Sequence, residues 1–224
     1  MDSTLRVAIR PPEYFPTLDY FALMRAADIF VIADTFQYSR QSFHNRTRLR
    51  NPEGWQWLTI PLLGGQHGKP IRDIHIDRES GSWRRTHFRS FEFNYRSTAY
   101  FQYFENEILA VIETQSENLC RFTTESVRCI REILELPINV VLASDLDGEP
   151  QSFGEILLRL GAEEVVVLPD APEHDRTAAG KAMVVDWTAP EYRQNFIGFE
   201  PGMSALDAIF NVGPSACRRL IGGP

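Results

Sequence analysis

Near the N-terminus, two short apolar segments flank a segment with helical periodicity. The apolar segments are LRVAI (residues 5–9) and DIFVIADTF (28–36), and each is typical of a buried strand. Between them, LDYFALMRAA (18–27) has apolar residues at helical spacing, whereas three prolines keep RPPEYFPT (10–17) out of a helix. Two strands joined by one helix form a β-α-β unit, which implies a parallel sheet and a right-handed crossover.

The middle of the chain, residues 82–136, is predicted to be mainly helical. Two of its helices cover residues 100–115 and 119–136. In the helix before them, aromatic residues and a histidine recur at every fourth position and therefore share one face: Trp83, His87, Phe91 and Tyr95.

Further strand patterns lie on both sides of this helical segment. Before it, WQWLTIPLL (55–63) and IRDIHID (71–77) are predicted as two strands. After it, strands are predicted at INVVLASDL (138–146), EEVVVLP (163–169) and KAMVVDW (181–187), with a helix at SFGEILLRLG (152–161). We therefore predict one α/β domain over residues 1–224, built on a Rossmann-like, mostly parallel sheet with the helical segment in its middle.

Charge and composition narrow the class of protein. The net charge of -7 argues against non-specific binding to nucleic acid or to an anionic membrane, while a small anionic ligand feels only the local charge. The N-terminus lacks the pattern of a signal peptide, and no apolar run reaches the ~18 residues that span a bilayer, so we expect a cytoplasmic protein. The three cysteines are scattered and predict neither a disulfide framework nor a zinc site. No metal site is predicted.

Candidate chemistry concentrates where predicted strands end, because ligands of parallel sheets bind beyond the carboxyl ends of the strands. The segment FHNRTRLR (43–50) follows the second strand, and its Asn45, Arg46 and Arg48 suit a nucleotide-sugar or an acyl phosphate. The alternative for these residues is a strand edge with solvent-facing arginines. The segment GGQHGKP (64–70) is predicted to be a turn or a mobile flap.

Two residues are candidates for acid or base chemistry. Asp34 closes a predicted strand and can act as a general base or bind a hydroxyl, a metal or an amine, unless it only fixes the next loop. His87 can exchange protons near neutral pH, or it can be a hydrogen-bonded core residue of its aromatic face. Ser144 and Asp145 also close a strand, and Asp145 can instead cap the following helix.

Blocks of residues in a fixed order then resemble the WbqC-like family. The first is VAIRPPEYFPTLDYF (7–21), and the second runs over 28–49. Later blocks are WRRTHFRSFEFNYRSTAYF (83–101), Ser144-Asp145-Leu146 and the C-terminal segment from Phe199 to Gly213. The residues shared with the family in the second and last blocks include Asp34, Gln37, Asn45, Arg46, Arg48 and Asn211.

This resemblance implies a transferase, of the glycyl or acyl type, that acts on an amino sugar or a nucleotide-sugar in O-antigen-type surface-polysaccharide biosynthesis. No resident cofactor is implied; a nucleotide-sugar or an activated acyl donor is the expected small-molecule ligand. The base is then Asp34 or His87, which we take as the catalytic candidates. The substrate-binding candidates are Tyr14, Gln37, Asn45, Arg46, Arg48, Ser144, Asp145 and Asn211.

Two alternatives stay open at this point. One is a non-catalytic ligand-binding or scaffold protein of the same fold. The other is a nucleotidylyltransferase-like enzyme, because the strand, proline-containing turn and aromatic helix are similar to the opening of that Rossmann-like fold, although PTLDYF (16–21) has no paired histidines. The chain also departs from the family pattern at Pro11, Thr35 and Phe43 and over residues 166–175.

Overall fold

A computed structural model describes residues 4–169, 171 and 181–222. Its strands are β1 (Arg6–Arg10), β2 (Ile29–Ile32), β3 (Arg46–Asn51), β4 (Gly54–Thr59), β5 (Asn139–Leu142), β6 (Glu164–Val167) and β7 (Lys181–Val184). Its α-helices are α1 (Leu18–Ala26), α2 (Trp83–Tyr95), α3 (Phe101–Glu113), α4 (Leu119–Ile133), α5 (Phe153–Leu160), α6 (Ala205–Val212) and α7 (Pro214–Leu220). Among the described residues, no helix is long and apolar enough to cross a membrane.

The main sheet has the strand order β5-β2-β1-β6-β7, and all of its neighbouring strands are parallel. Counted within this sheet alone, the order is 3-2-1-4-5, so the prediction of a Rossmann-like α/β fold is confirmed. The chain reverses its direction of travel across the sheet between β1 and β6. Ligands of such sheets bind outside the carboxyl ends of the strands at this switch point.

Two hydrophobic cores lie on opposite faces of the sheet, because side chains alternate along each strand. Val7, Ile9 and Val31 point to the face that packs against Ile156 and Leu157 of α5. The alternate residues of the same strands, including Ala8, Phe30 and Ile32, belong to a larger core with the aromatic residues of the helices. Continuous apolar strands therefore reflect burial on both faces.

The segment 46–59 forms a separate antiparallel hairpin of β3 and β4. The arginines predicted in a rim loop thus lie on a strand, where Arg46, Arg48 and Arg50 alternate with buried residues and share one face. The strand predicted at 71–77 was wrong: a short 3-10 helix covers Ile71–Asp73 instead. There, Ile71 and Arg72 donate their backbone N–H groups to the carbonyls of Phe36 and Asp34, so the segment follows the loop after β2.

The loop from Arg10 to Thr17 connects β1 to α1 and is unusual in being buried. Its three prolines carry no N–H group, which removes donors that burial would leave unpaired. The remaining polar groups bind other elements: Phe15 N–H donates to Ser126 Oγ at 3.0 Å, and Thr47 Oγ1 donates to Phe15 O at 2.9 Å. Phe15 itself has a φ of 41°, a left-handed conformation that these contacts hold.

Replacing Ser126 with alanine tests the hold on this loop. Ser126 Oγ accepts from Phe15 and lies 3.1 Å from the Glu13 carbonyl, so Ser126→Ala leaves the buried Phe15 N–H without a partner. We expect the free energy of unfolding in urea to fall by about 1–3 kcal/mol. Ser90→Ala is the matched control, since its hydroxyl bonds only the Thr86 carbonyl within helix α2. An equal loss in both variants contradicts the prediction.

Candidate functional site

A pocket of about 430 Å³ opens at the switch point of the sheet. Arg10 is the last residue of β1, Pro169 follows β6 and Trp187 follows β7, so carboxyl ends of three strands meet at this pocket. The first residues of α1 and the loop before α6 complete its lining. The volume suits a drug-sized or sugar-sized molecule.

A cluster of one cation and two carboxyl groups lies at one end of the pocket, where Arg10 and Asp19 are in the lining and Glu13 is buried next to Arg10. Arg10 Nη2 lies 2.7 Å from Glu13 Oε1, and Arg10 Nη1 lies 3.3 Å from Asp19 Oδ2. Glu13 is buried, and burial raises the pKa of its carboxyl group although Arg10 opposes the shift. Asp19 is partly exposed and lines the pocket with Arg10 and Thr17. The cluster therefore holds no surplus positive charge.

The walls of the pocket are largely aromatic, and hydrogen bonds to neighbouring helices hold two of the aromatic side chains. Phe43, Trp187, Tyr192 and Phe199 all line it. Trp187 Nε1 donates to the Leu220 carbonyl at 2.8 Å. The Tyr192 hydroxyl donates to Oδ2 of the buried Asp207 at 2.7 Å. Helices α6 and α7 thus hold two of the four rings, which preorganises an apolar surface beside the charged cluster.

Asp34 and Ser144, predicted from separate strand ends, are in contact. Oδ1 of the buried Asp34 accepts the Ser144 backbone N–H at 2.9 Å, which joins the carboxyl ends of the neighbouring strands β2 and β5. Within the described part of the chain, Oδ2 of Asp34 has no hydrogen-bond partner. Asp145 is exposed beside them. None of these residues lines the switch-point pocket.

Tyr14 and His87 form a second pair inside the aromatic core. The Tyr14 hydroxyl lies 3.0 Å from His87 Nδ1, and the His87 ring packs edge-on against Trp83 at 5.1 Å. Burial lowers the pKa of His87 to about 4, although a hydrogen bond with the Thr59 backbone opposes this shift. The imidazole is therefore neutral near pH 7, with a partner on each side.

Asn45 and Arg46 bond within the hairpin region. Asn45 Nδ2 donates to the Ile60 carbonyl at 2.9 Å, and its Oδ1 accepts from the Tyr38 hydroxyl at 3.0 Å. Arg46 donates to the carbonyls of Ser42 and Gln41, at 3.1 and 2.9 Å. Asn45 therefore uses its amide donor on the residue that follows β4, and Arg46 uses its donors on the loop before β3.

Three further candidates lie apart from these pairs. Arg48 stacks on the indoles of β4, and Asn211 donates to the Asp207 carbonyl within α6 at 2.8 Å. Gln37 is exposed and pairs with Pro70 through an isolated backbone bridge. The candidates from the sequence therefore form several local groups along the rim and in the core, and not one constellation.

Four residues at or near the charged end of the pocket were not candidates from the sequence. Arg10 and Asp19 line the pocket, whereas the buried Glu13 and His44 lie close to Arg10 outside the lining. His44 Nδ1 accepts from the Ser39 N–H at 3.3 Å, and burial, together with the charge of Arg10, lowers its pKa to about 4. The available signal was an arginine at the end of a predicted strand, followed by two carboxyl groups within nine residues. The ion pairs between these residues could be recognised only in the folded structure.

The three cysteines are buried free thiols, and burial raises the pKa of each to about 12, so none is a thiolate near neutral pH. In the described ranges, no group of three histidine, cysteine, aspartate or glutamate side chains is placed to hold a metal ion.

The family model of the WbqC-like protein family matches residues 11–219, which include the buried loop, the hairpin and helices α1 to α6. The chain belongs to the WbqC-like family. It is also 30% identical over 222 residues to the uncharacterized protein Rv1507c of Mycobacterium tuberculosis (strain ATCC 25618 / H37Rv), an alignment that covers 94% of this chain and 95% of the relative. No solved structure matches.

The two buried histidines make the stability of this WbqC-like protein depend on pH. Their pKa is about 4 in the fold against 6.5 normally, so the unfolded chain binds more protons between these values and the fold loses stability as pH falls through that window. Each contributes a slope of up to about 1.4 kcal/mol per pH unit.

The variant His87→Gln should reduce this slope in urea unfolding measured between pH 7 and 5. The exposed His67→Gln is the matched control and should keep the wild-type slope. Glu13 and Asp207, whose pKa values burial raises, oppose the histidines in the total, so only the difference between variant and wild type is diagnostic. An unchanged slope in His87→Gln contradicts the assignment.

Proposed function

We propose that this WbqC-like protein is a transferase that acts on an amino sugar, free or linked to a nucleotide, in the biosynthesis of a surface polysaccharide. The proposal rests on one juxtaposition: a carboxylate-rich end and aromatic walls share the pocket at the switch point of a Rossmann-like sheet. Nucleotides bind at such switch points in related sheets, which supports the class of ligand by analogy only.

The charged end suits an amine better than a phosphate. Arg10 already faces two carboxyl groups, so an additional anion gains little there, whereas an ammonium group can donate to the partly exposed Asp19. Sugar hydroxyls can bond Thr17 and Arg10 at the same end. The apolar face of a sugar ring, or a nucleobase, can lie against the aromatic walls. An amino sugar combines these features.

The bound ammonium group loses two protons in becoming an amide: the first leaves to water before the attack, and the second leaves the nitrogen as the C–N bond forms. The amine nitrogen attacks the carbonyl carbon of an activated acyl donor, a C–N bond forms, and the bond to the thiolate or phosphate leaving group breaks with its electron pair. We assign this second proton to Asp34, which lies outside the pocket lining and just past the carboxyl end of β2, the strand next to β1, so that the proton reaches it through a water molecule. One oxygen of its carboxyl group has no hydrogen-bond partner among the described residues. His87 has both nitrogens engaged and takes no part in this step.

The remaining predicted site residues differ in exposure and in hydrogen bonding, and we assign their roles accordingly. Gln37 and Asp145 are exposed beyond the carboxyl ends of β2 and β5, and we keep both as proposed substrate contacts. Ser144 positions Asp34, and Tyr14 positions His87. Asn45, Arg46 and Asn211 hold backbone carbonyls and so shape the region around the pocket.

A non-catalytic ligand-binding protein of the same fold is the second candidate. It is favoured by the engagement of His87, Asn45 and Arg46 in bonds within the chain, since these were among the groups expected to carry chemistry or binding. The nucleotidylyltransferase-like alternative has no comparable support, because the start of α1 contains no histidine.

Calorimetry with paired ligands tests the amine site. We expect a nucleotide-linked amino sugar with a free amine to bind at least about tenfold tighter than its N-acetyl counterpart, a difference of about 1.4 kcal/mol. Asp19→Asn should abolish this preference. Asp28→Asn is the matched control, because it removes the partner of Arg6 at the opposite end of the same strands. Equal binding of both ligands by the unaltered protein contradicts the proposal.

Asp34→Asn tests the catalytic step. Asparagine keeps an oxygen for the Ser144 N–H but cannot take a proton, so turnover should fall at least about 100-fold while the affinity for the amino sugar changes little. Turnover is followed by mass spectrometry with a panel of acyl thioesters and acyl phosphates. Tight amine-dependent binding without turnover in the unaltered protein favours the non-catalytic alternative.

A further inference from the structure

Three arginines alternate on one face of β3, but their surroundings differ. Arg46 donates to the Ser42 and Gln41 carbonyls. Arg50 is buried and donates to Gln194 Oε1 and to three backbone carbonyls, so its guanidinium is fully occupied. Arg48 lies between them, and within the part of the chain that the structure describes its side chain has neither a hydrogen bond nor an ion pair.

Aromatic rings fix the Arg48 guanidinium in place. Its Cζ lies 4.5 Å from the ring centroid of Trp55 and 4.7 Å from that of Trp57, with Phe43 at 5.9 Å. Nε is buried and has no partner among the described residues. Stacking on indole stabilises the cation without using its N–H groups. The result is an oriented, planar donor that forms no ion pair with a carboxylate of the described residues.

This guanidinium adjoins the switch-point pocket. Phe43 and Gly202 line that pocket, and both lie near Arg48, which is itself outside the lining. A Cβ at Gly202 would lie 3.5 Å from Arg48 Nη1, so at that point the absent side chain leaves the guanidinium next to the pocket lining. Gly202 also has a φ of 71°, which favours glycine there for a separate reason. The pocket thus has a cation near Gly202 and carboxyl groups near Asp19.

We propose that Arg48 binds the phosphate group of the ligand, so that the pocket reads a molecule with an amine at one end and a phosphate at the other. Arginine presents paired donors that match phosphate oxygens, and stacking on the indoles holds the guanidinium without using those donors. This inference builds on the proposed function and narrows its ligand to a phosphorylated amino sugar, such as a nucleotide-linked one. Arg46 and Asn45 have no share in the contact.

The probes are inorganic pyrophosphate, UDP and acetyl phosphate, measured by calorimetry and by quenching of tryptophan fluorescence. Arg48→Gln should weaken the phosphate probe that binds the unaltered protein at least tenfold. Arg46→Gln is the matched control: it removes the same charge from the same strand face, beside the same Trp57, and should change the affinity less than threefold. Binding of UDP over acetyl phosphate identifies a nucleotide-linked ligand, and the reverse order identifies an acyl phosphate donor.

Equal weakening in the two variants, or no weakening in Arg48→Gln, overturns the proposal. If Arg48→Gln does not fold, Arg48→Lys decides, since it keeps the charge but loses the planar fork and should still weaken binding severalfold; unchanged affinity in Arg48→Lys then overturns it. Failure of the amine test with Arg48-dependent phosphate binding leaves this inference standing while the proposed function falls. Amine discrimination without Arg48 dependence gives the opposite result.

Discussion

The buried loop between β1 and α1 is the constraint on which the rest of the structure depends. Buried backbone groups need hydrogen-bond partners, and the partners of this loop lie in several of the surrounding elements. Tyr14 N–H donates to the Phe43 carbonyl, and the Pro16 carbonyl accepts from Ala205 at the start of α6. Ser126 brings in α4 and Thr47 brings in the hairpin. The loop therefore sets where the hairpin and the C-terminal helices sit against the sheet.

The pocket is a consequence of this arrangement. Rossmann-type strand order opens a crevice where β1 and β6 separate the two halves of the sheet. Arg10 at the end of β1 and Asp19 at the start of α1 line one side of that crevice, and Phe43 from the loop before the hairpin also lines it. Aromatic residues held by α6 and α7 complete the wall. The charged and the aromatic parts of one cavity thus come from elements that are far apart in sequence.

Sequence patterns predicted the parts of this fold that local physics decides. Apolar runs predicted the strands of the main sheet, and rings at every fourth position predicted helix α2. The pattern at 71–77 did not give a strand because its two halves bond different segments. Residues 71 and 72 bond the loop after β2, whereas residues 74–77 bond the segments 61–63 and 117–119 through isolated bridges. Hydrogen-bond partners could not be predicted because they are distant in the sequence. Asp34 and Ser144 are 110 residues apart, and Phe15 and Ser126 are 111 residues apart. Which arginine of FHNRTRLR is structural depends on such distant groups.

The three arginines of strand β3 differ in how they are held. Its two outer arginines, Arg46 and Arg50, donate to backbone carbonyls of neighbouring segments. The guanidinium of the middle arginine packs against ring faces, and its replacement removes no hydrogen bond between described residues. If Arg48 binds the ligand as proposed, anchoring of the hairpin and choice of ligand fall to alternate positions of one strand. A substitution at that one position would then change the ligand and leave the hydrogen bonds of the hairpin in place.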